Sequence, residues 1–457
     1  MLKELKKITK CEFLEDKEDI YPYAYDTSVA LSSVNIPFCV ALPETISDVQ
    51  KIVKYAIKND FIIIPRGAGT CHSAGCRVSN DKRKAIIIHF SKMNKIIEID
   101  EKNLTAKVQP NVVLGDLGRE IEKFNLFFPP DPSNLEVSTI GGAIALSSSG
   151  PRTFKYGQIK NYVLNLKIVN GEGEVVELGK DLRKNVTGYN LCDLFIGSEG
   201  TFGIVVEATL KLIPKPAKTK LVLAYFKSIE EAGICVTKIL TSNVQPATLD
   251  ILDDKTLITI EKFNPTGLYT RYESALLIEL DGEEESIIAQ SKKLQAVLEE
   301  ANAEKIVNTD DQKINDDIWR ARRSSFACCA KLAPNVVTED IVISTSKIPE
   351  MIKFIRALSQ KYGIMACIMG HAGDGNIHPN FALDLENPTQ FKNFKLLKDE
   401  LFKGALKMGG TLSGEHGIGM EKRIYLQDAI NSTAHNYMKQ IKQIFDPHNI
   451  FNPDKAI

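Results

Sequence analysis

The sequence predicts an α+β protein of two domains, on three observations. The chain has 457 residues, more than one core of ordinary size organises. Its first half sets apolar strand runs between glycine- and serine-rich loops. Beyond Lys211-Leu212-Ile213-Pro214-Lys215-Pro216, whose two prolines suit a linker, strands and helices alternate in longer units, the pattern of an antiparallel sheet layered with helices.

Residues 1–35 read as a helical lead-in with a polar turn. Val49–Ile57 carries apolar residues at helical spacing, and Thr45 or Ser47 can cap it. Phe61–Ile64 and Ala85–Phe90 are continuous apolar runs, as expected of strands buried on both faces. Ile96–Asp100 with Thr105–Gln109, and Leu166–Val169 with Glu174–Leu178, read as hairpins, the second turning at Asn170-Gly171-Glu172-Gly173. These elements give a first domain over 36–215. The second, over 216–410, holds strands at Leu221–Phe226 and Ala275–Leu280 and helices at 228–241 and 284–302.

Composition excludes several functions. Hydrophobic content of 44% and charged content of 25% are ordinary for a globular chain, and a formal net charge of −1 gives no reason for a nucleic-acid partner. No run of about 18 apolar residues marks a transmembrane helix. The charged, amphipathic Met1–Lys7 lacks the apolar centre of a signal peptide, which points to the cytoplasm. The nine cysteines include no C-x-x-C, so no iron–sulfur cluster is expected in this chain. Cys71 stands out by lying in a glycine run.

Three glycine-rich segments carry the first chemical signal. Pro65-Arg66-Gly67-Ala68-Gly69-Thr70 follows a strand, and its glycines let backbone N–H groups turn toward an anion. Its spacing fits neither a P-loop nor a Rossmann fingerprint, and alone it is equally a plain turn. Pro130-Asp131-Pro132-Ser133 leads to Ser138-Thr139-Ile140-Gly141-Gly142-Ala143 and then to Ser147–Arg152. Small residues there let a flat ring or pyrophosphate approach the main chain, and the interleaved Ile140, Ile144 and Leu146 argue against a disordered linker. Gly197-Ser198-Glu199-Gly200-Thr201-Phe202-Gly203-Ile204 is of the same kind.

The second signal lies near the C-terminus, in Gly370-His371-Ala372-Gly373-Asp374-Gly375-Asn376-Ile377-His378-Pro379-Asn380 and Gly414-Glu415-His416-Gly417-Ile418-Gly419. His371 ends the apolar strand Ile364–Met369, Gly373-Asp374-Gly375 is a hairpin turn, and alternation puts His378 and Asn380 on one face of the returning strand. A hairpin can thus aim two imidazoles at one point, with Glu415 as a third ligand. Two histidines and a carboxylate leave positions open for substrate, as catalytic sites do. In Trp319-Arg320-Ala321-Arg322-Arg323, an arginine can grip a carboxylate with a bidentate fork.

Taken together, these segments resemble the vanillyl-alcohol oxidase/p-cresol methylhydroxylase superfamily, and the paired histidine motifs resemble its branch of D-lactate dehydrogenases, D-2-hydroxyglutarate dehydrogenase and the FAD-bearing subunit of glycolate oxidase. The resemblance runs to the closing Phe445–Pro453. It implies a two-part FAD domain of the p-cresol methylhydroxylase type, a substrate (cap) domain, and a segment, 411–457, that returns to the FAD domain. It implies FAD contacts from Pro65, Arg66, Gly67, Ala68, Gly69 and Thr70, from Pro130, Asp131, Ser138, Thr139, Gly141 and Gly142, from Glu199, Gly200 and Ile204, and from Asn452. Covalent relatives often carry a histidine where Thr70 stands, so non-covalent FAD is expected, with His72 nearby as the exception to watch. Cys71–Gly75 replaces the usual Gly-Leu-Ser-Gly-Gly, and Ala143 and Ser147 stand where asparagines are usual.

The same resemblance makes His371, His378 and Glu415 ligands of one divalent metal, zinc first, with iron or manganese as alternatives. It makes His416 the base and, through a W-x-x-R pattern, Arg322 the carboxylate grip; Arg322, Asn380 and His416 then contact substrate. Phe326 and Thr338 stand where a second carboxylate would find polar contacts, which favours a small D-2-hydroxy acid such as D-lactate or glycolate. Electrons would leave to an iron–sulfur subunit, an electron-transfer flavoprotein, a quinone or O2, with peripheral association at the inner face of the membrane through a partner. The alternatives are a D-2-hydroxyglutarate-type dehydrogenase, another flavin enzyme on the same FAD domain, and a non-catalytic or electron-transfer flavoprotein subunit.

Overall fold

The helix Ile46–Asn59 shows how local sequence sets this structure, a computed structural model describing residues 1–29 and 34–457. Of the two candidate caps, Thr45 is the one used. Its hydroxyl accepts from the Asp48 N–H at 3.2 Å, and the Asp48 carboxylate accepts from the Thr45 N–H at 3.1 Å, a reciprocal capping box. The helix buries Val49, Ile52, Val53 and Ala56 against the strand core that includes Phe61, Ile63, Ile86 and Ile88.

Phe61–Arg66 is the edge of a four-stranded sheet in the order Glu12–Leu14, Cys39–Leu42, Lys84–His89, Phe61–Arg66. The last three strands are parallel and the first is antiparallel. The open edge is covered by the C-terminal chain: Ile63 donates its N–H to Ile450 O and accepts from the Asn452 N–H, at 2.7 and 3.0 Å. A second, antiparallel sheet of five strands runs Ile96–Asp100, Thr105–Val108, Ile204–Lys211, Val163–Val169, Val175–Glu177. Both expected hairpins are present in it.

The lead-in is only partly helical. Leu2–Ile8 and Lys17–Ile20 are helices, but Glu12–Leu14 is a strand, and residues 30–33 of the expected stretch lie outside those described. The expected proline linker contains a short strand, Ile213–Pro214, paired with Leu126–Phe127. Proline is tolerated there because this two-strand ribbon needs no N–H from it.

The chain divides into two units, the first comprising Met1–Ser149, Gln158–Lys215 and Glu415–Ile457, the second Gly150–Gly157 and Pro216–Gly414. Within the second, an eight-stranded antiparallel sheet follows the order Lys305–Thr309, Lys218–Phe226, Ser274–Gly282, Thr248–Asp253, Met365–His371, Asn376–Leu383, Asn335–Thr338, with Ile341–Val342 also on Asn376–Leu383. Gly150–Gly157 belongs here because Arg152 bonds Glu279 at 3.1 Å, while Lys155 and Tyr156 both bond Asp281.

Candidate active site

In the first unit, the glycine-rich segments named by the sequence meet one another. A Cβ on Gly67 would fall 2.3 Å from Thr139 Oγ1, so the first two segments touch through a glycine that cannot be replaced without displacement. A Cβ on Gly200 would meet Asn452 Nδ2 at 3.1 Å and Pro65 Cγ at 3.4 Å, which brings in the third segment and the closing asparagine. The Asn452 amide donates to Glu199 O at 2.7 Å. Thr139 caps the short helix Ile140–Leu146, accepting from the Gly142 N–H. Glu199 holds a left-handed backbone (φ 53°) while buried, an unusual conformation for a residue with a Cβ.

These features suit a cofactor with a flat ring and a pyrophosphate. Gly67, Gly69 and Gly141 allow close packing, against Thr139, Arg66 and Pro110 respectively, and Gly69 turns at φ 74°. Two nearby hydroxyl groups, Ser149 and Ser198, are buried without a hydrogen-bond partner among the described residues, as donors awaiting a ligand would be. The Arg66 guanidinium lies against Gly69 and donates to Tyr25 O at 2.7 Å and Tyr23 O at 3.3 Å, tying the loop to the N-terminal segment. Pro130 and Asp131 lead into a turn closed by the Ser138 hydroxyl donating to Asn134 Oδ1. The Cys71 thiol is buried and pushed up to about 12 by that burial, so it is no nucleophile.

Glu199 also organises the Glu415–Gly419 turn. Its carboxylate accepts from the Ile418 and Gly419 N–H groups at 2.8 and 2.7 Å. Burial raises its pKa, opposed by those two bonds and by Lys422 and Lys455. The Ser73 hydroxyl donates to His416 O at 2.8 Å, and the His416 ring stacks on His72, centroids 4.6 Å apart. The turn's backbone is thus fixed independently of the His416 ring.

In the second unit, strand register builds a polar cluster on one face of the sheet. Opposed residues in antiparallel strands share a face. Asp250 pairs with His371, His371 with Asn376, Met369 with His378, and Cys367 with Asn380, which pairs in turn with Thr338. Asp250, His371, His378 and Asn380 therefore share one face, though Asp250 and His371 lie 121 residues apart. The helix Gln312–Arg323 packs on this face through Ile318, Trp319 and Ala321, with Leu252, Leu277 and Met369 beneath. Trp319 Nε1 donates to Glu279 Oε2 at 2.7 Å, and Arg322, three residues on, reaches Asp250.

Asp250 is fully buried and serves two cationic or potentially cationic groups. Oδ1 lies 2.7 Å from His371 Nδ1, and Oδ2 accepts from Arg322 Nε at 2.8 Å and pairs with its terminal nitrogen at 2.7 Å. Burial opposes ionisation of Asp250, but His371 and Arg322 outweigh it and lower the pKa. An ionised carboxylate only accepts, so His371 Nδ1 is the donor to Asp250. The His371 and His378 ring centroids are 5.3 Å apart at 78°. Burial pushes the His378 pKa down to about 3, with Asp340 opposing, so its imidazole is neutral, as a metal ligand must be. Two imidazoles, one oriented by a carboxylate, suit a first-row divalent ion.

Asp340 is the second organiser. It accepts from Asn376 Nδ2, the Ser413 hydroxyl and the Gly414 N–H, and lies 3.7 Å from His378 Nδ1. Gly414 is thereby pinned, and Glu415 follows it directly in the chain. Asn380 is wholly buried; its amide donates weakly to Cys367 O and His378 O and accepts from the Thr338 hydroxyl. Phe326 packs on Cys329, Val336 and Cys367.

Comparison with known proteins places the molecule. Residues 37–179 match the FAD binding domain model, and residues 215–456, more than half the chain, match the C-terminal domain of FAD linked oxidases. The chain belongs to the FAD-linked oxidases. It is 38% identical to the glycolate oxidase subunit GlcD of Bacillus subtilis, over 95% of this chain and 91% of that one. It is 31% identical to the D-lactate dehydrogenase of Anaerostipes hadrus, over 100% and 96%. The fold is that of p-cresol methylhydroxylase, whose structure superposes with a TM-score of 0.83 at 16% identity, covering 100% of this chain and 96% of that one. As a member of the family, the chain is an FAD-dependent oxidoreductase. Its two central organisers, Asp250 and Asp340, went unnoticed in the sequence.

Proposed function

We propose that this FAD-linked oxidase converts a small D-2-hydroxy acid, D-lactate or glycolate, to the 2-oxo acid. The observation that carries the reading is the buried cluster of Asp250, Arg322, His371 and His378, which sets a carboxylate-gripping cation beside two metal-competent imidazoles. The names of the relatives, glycolate oxidase subunit and D-lactate dehydrogenase, support the same substrate class. FAD, when bound, would supply the hydride acceptor for substrate C2, and a divalent metal would supply a Lewis acid for the hydroxyl.

The chain's own residues then have distinct tasks. His371, His378 and Glu415 hold the metal, zinc in this reading, with iron or manganese able to fill an N/N/O site. Arg322 holds the substrate carboxylate with donors beyond the two that Asp250 engages. Asn380 borders the histidines as a further polar contact. His416 takes the hydroxyl proton, an imidazole being suited to transfer near neutral pH. Phe326 and Thr338 supply no cation for a second carboxylate, which favours a monocarboxylate over 2-hydroxyglutarate. All nine cysteines are free and none forms a C-x-x-C pair, and a relative is named as a subunit. In this reading electrons leave to a partner such as an iron–sulfur subunit or electron-transfer flavoprotein, to a quinone or to O2. No helix of the described residues is long and apolar enough to cross a membrane; we propose peripheral association through a partner.

Purified protein should be yellow, and D-lactate or glycolate should bleach it under anaerobic conditions. Acid precipitation should leave the colour in the supernatant, since Thr70 stands where covalent relatives carry histidine. Bleaching by D-2-hydroxyglutarate alone would transfer the assignment to that substrate, and no bleaching by any of the three would refute the reading. His378→Ala should lose metal by elemental analysis while keeping FAD. Unchanged metal content would remove the hairpin from the metal site.

A further inference from the structure

We infer that Asp250 is the positioning residue that fixes the substrate-gripping cation and the metal-binding imidazole relative to each other. The inference rests on the proposed roles of Arg322 and His371. Its basis is one wholly buried carboxylate whose two oxygens are divided between them, Oδ1 to His371 Nδ1 at 2.7 Å and Oδ2 to Arg322 Nε at 2.8 Å. A histidine ligand is set in ring angle and tautomer by what its other nitrogen donates to. An arginine fork is set in plane by the carboxylate it already holds. Here both constraints come from one side chain, itself fixed by the strand register that opposes Asp250 to His371.

Among the described residues, neighbouring acids are committed to other partners. Glu279 is engaged by Trp319 Nε1 and Arg152. Asp340 is engaged by Asn376, Ser413 and Gly414. Asp253, on the opposite face of the strand, caps the helix Asp254–Phe263 by accepting from the Thr256 N–H, and also accepts from the Ile368 N–H. Without Asp250, Arg322 would be a buried cation with no counter-charge, and His371 would be free to turn or change tautomer.

The test uses the FAD-loaded protein. Asp250→Asn keeps the volume and removes the charge. Zinc affinity, read by competition with a chelator, should fall about 10–100-fold, the cost usual for losing such a carboxylate. Binding of oxalate, a substrate-like anion read by the change in flavin spectrum, should weaken at least tenfold. Because Asp250→Asn leaves Arg322 uncompensated and can fail to fold, a charge-balanced series accompanies it. Asp250→Asn/Arg322→Gln should bind zinc about 10–100-fold more weakly than Arg322→Gln alone. Equal zinc affinity in those two variants would overturn the inference. Wild-type protein that binds no zinc would overturn the proposed metal site and the inference with it, whereas a zinc-binding wild type with an unaffected double variant overturns the inference alone.

Discussion

His416→Ala is expected to retain FAD, metal and substrate yet reduce its flavin about 10²–10⁴-fold more slowly than wild type, the usual loss when a general base is removed. The effect should be confined to chemistry because the turn carrying His416 is held by its main chain. Ser73 bonds the His416 carbonyl, and Glu199 accepts from both the Ile418 and Gly419 N–H groups, so deleting the imidazole leaves all three bonds in place. Anaerobic stopped-flow measurement across substrate concentrations separates the saturating rate from binding. A wild-type saturating rate in the variant would mean that another group takes the proton. His72, stacked on His416, would be the next side chain to replace.

Much of the framework was legible because its signals are local. The helix cap near Thr45, the apolar runs Phe61–Ile64 and Ala85–Phe90, and the hairpin at Asn170–Gly173 each involve residues close together in the chain. The glycine segments were legible for the same reason: small residues in a row are visible without knowing what they meet. Where the reading fell short, the missing information was distant. Glu12–Leu14 is a strand only because Cys39–Leu42 offers it an edge, and three residues are too few to show a period. Gly150–Gly157 reads as the tail of a glycine-rich loop, yet its Arg152, Lys155 and Tyr156 are drawn to Glu279 and Asp281, more than a hundred residues on.

Asp250 and Asp340 illustrate the same limit inside the site. Asp250 lies in Thr248–Asp253, a fully buried strand in which it and Asp253 are acids beside leucines and an isoleucine. An acid in such a strand has to be paired, and that much can be read from sequence. Its partners cannot, because they arrive from a helix 72 residues away and a strand 121 residues away. The histidine hairpin was readable as two aligned imidazoles, but not what aligns them. Asp340 likewise acts through Ser413 and Gly414, 73 and 74 residues downstream.

Arg322→Lys should separate grip from chemistry in the opposite sense to His416→Ala. Lysine keeps a positive charge against Asp250, so the buried carboxylate is not abandoned and the unit should fold. Arg322→Ala would instead strand it, at about 3–5 kcal/mol for a broken buried pair. The ammonium cannot reproduce the planar fork, however, and a lysine drawn to Asp250 has no second edge to offer the substrate. Losing a charge-assisted hydrogen bond worth about 1.5–3 kcal/mol corresponds to roughly 10–150-fold weaker substrate binding. The substrate concentration for half-maximal flavin reduction should rise by that factor, while the rate at saturation falls much less, since His416 and the metal ligands are untouched. A variant with unaltered half-saturation would show that Arg322 serves only to neutralise Asp250, and the carboxylate grip would have to be sought in another cation.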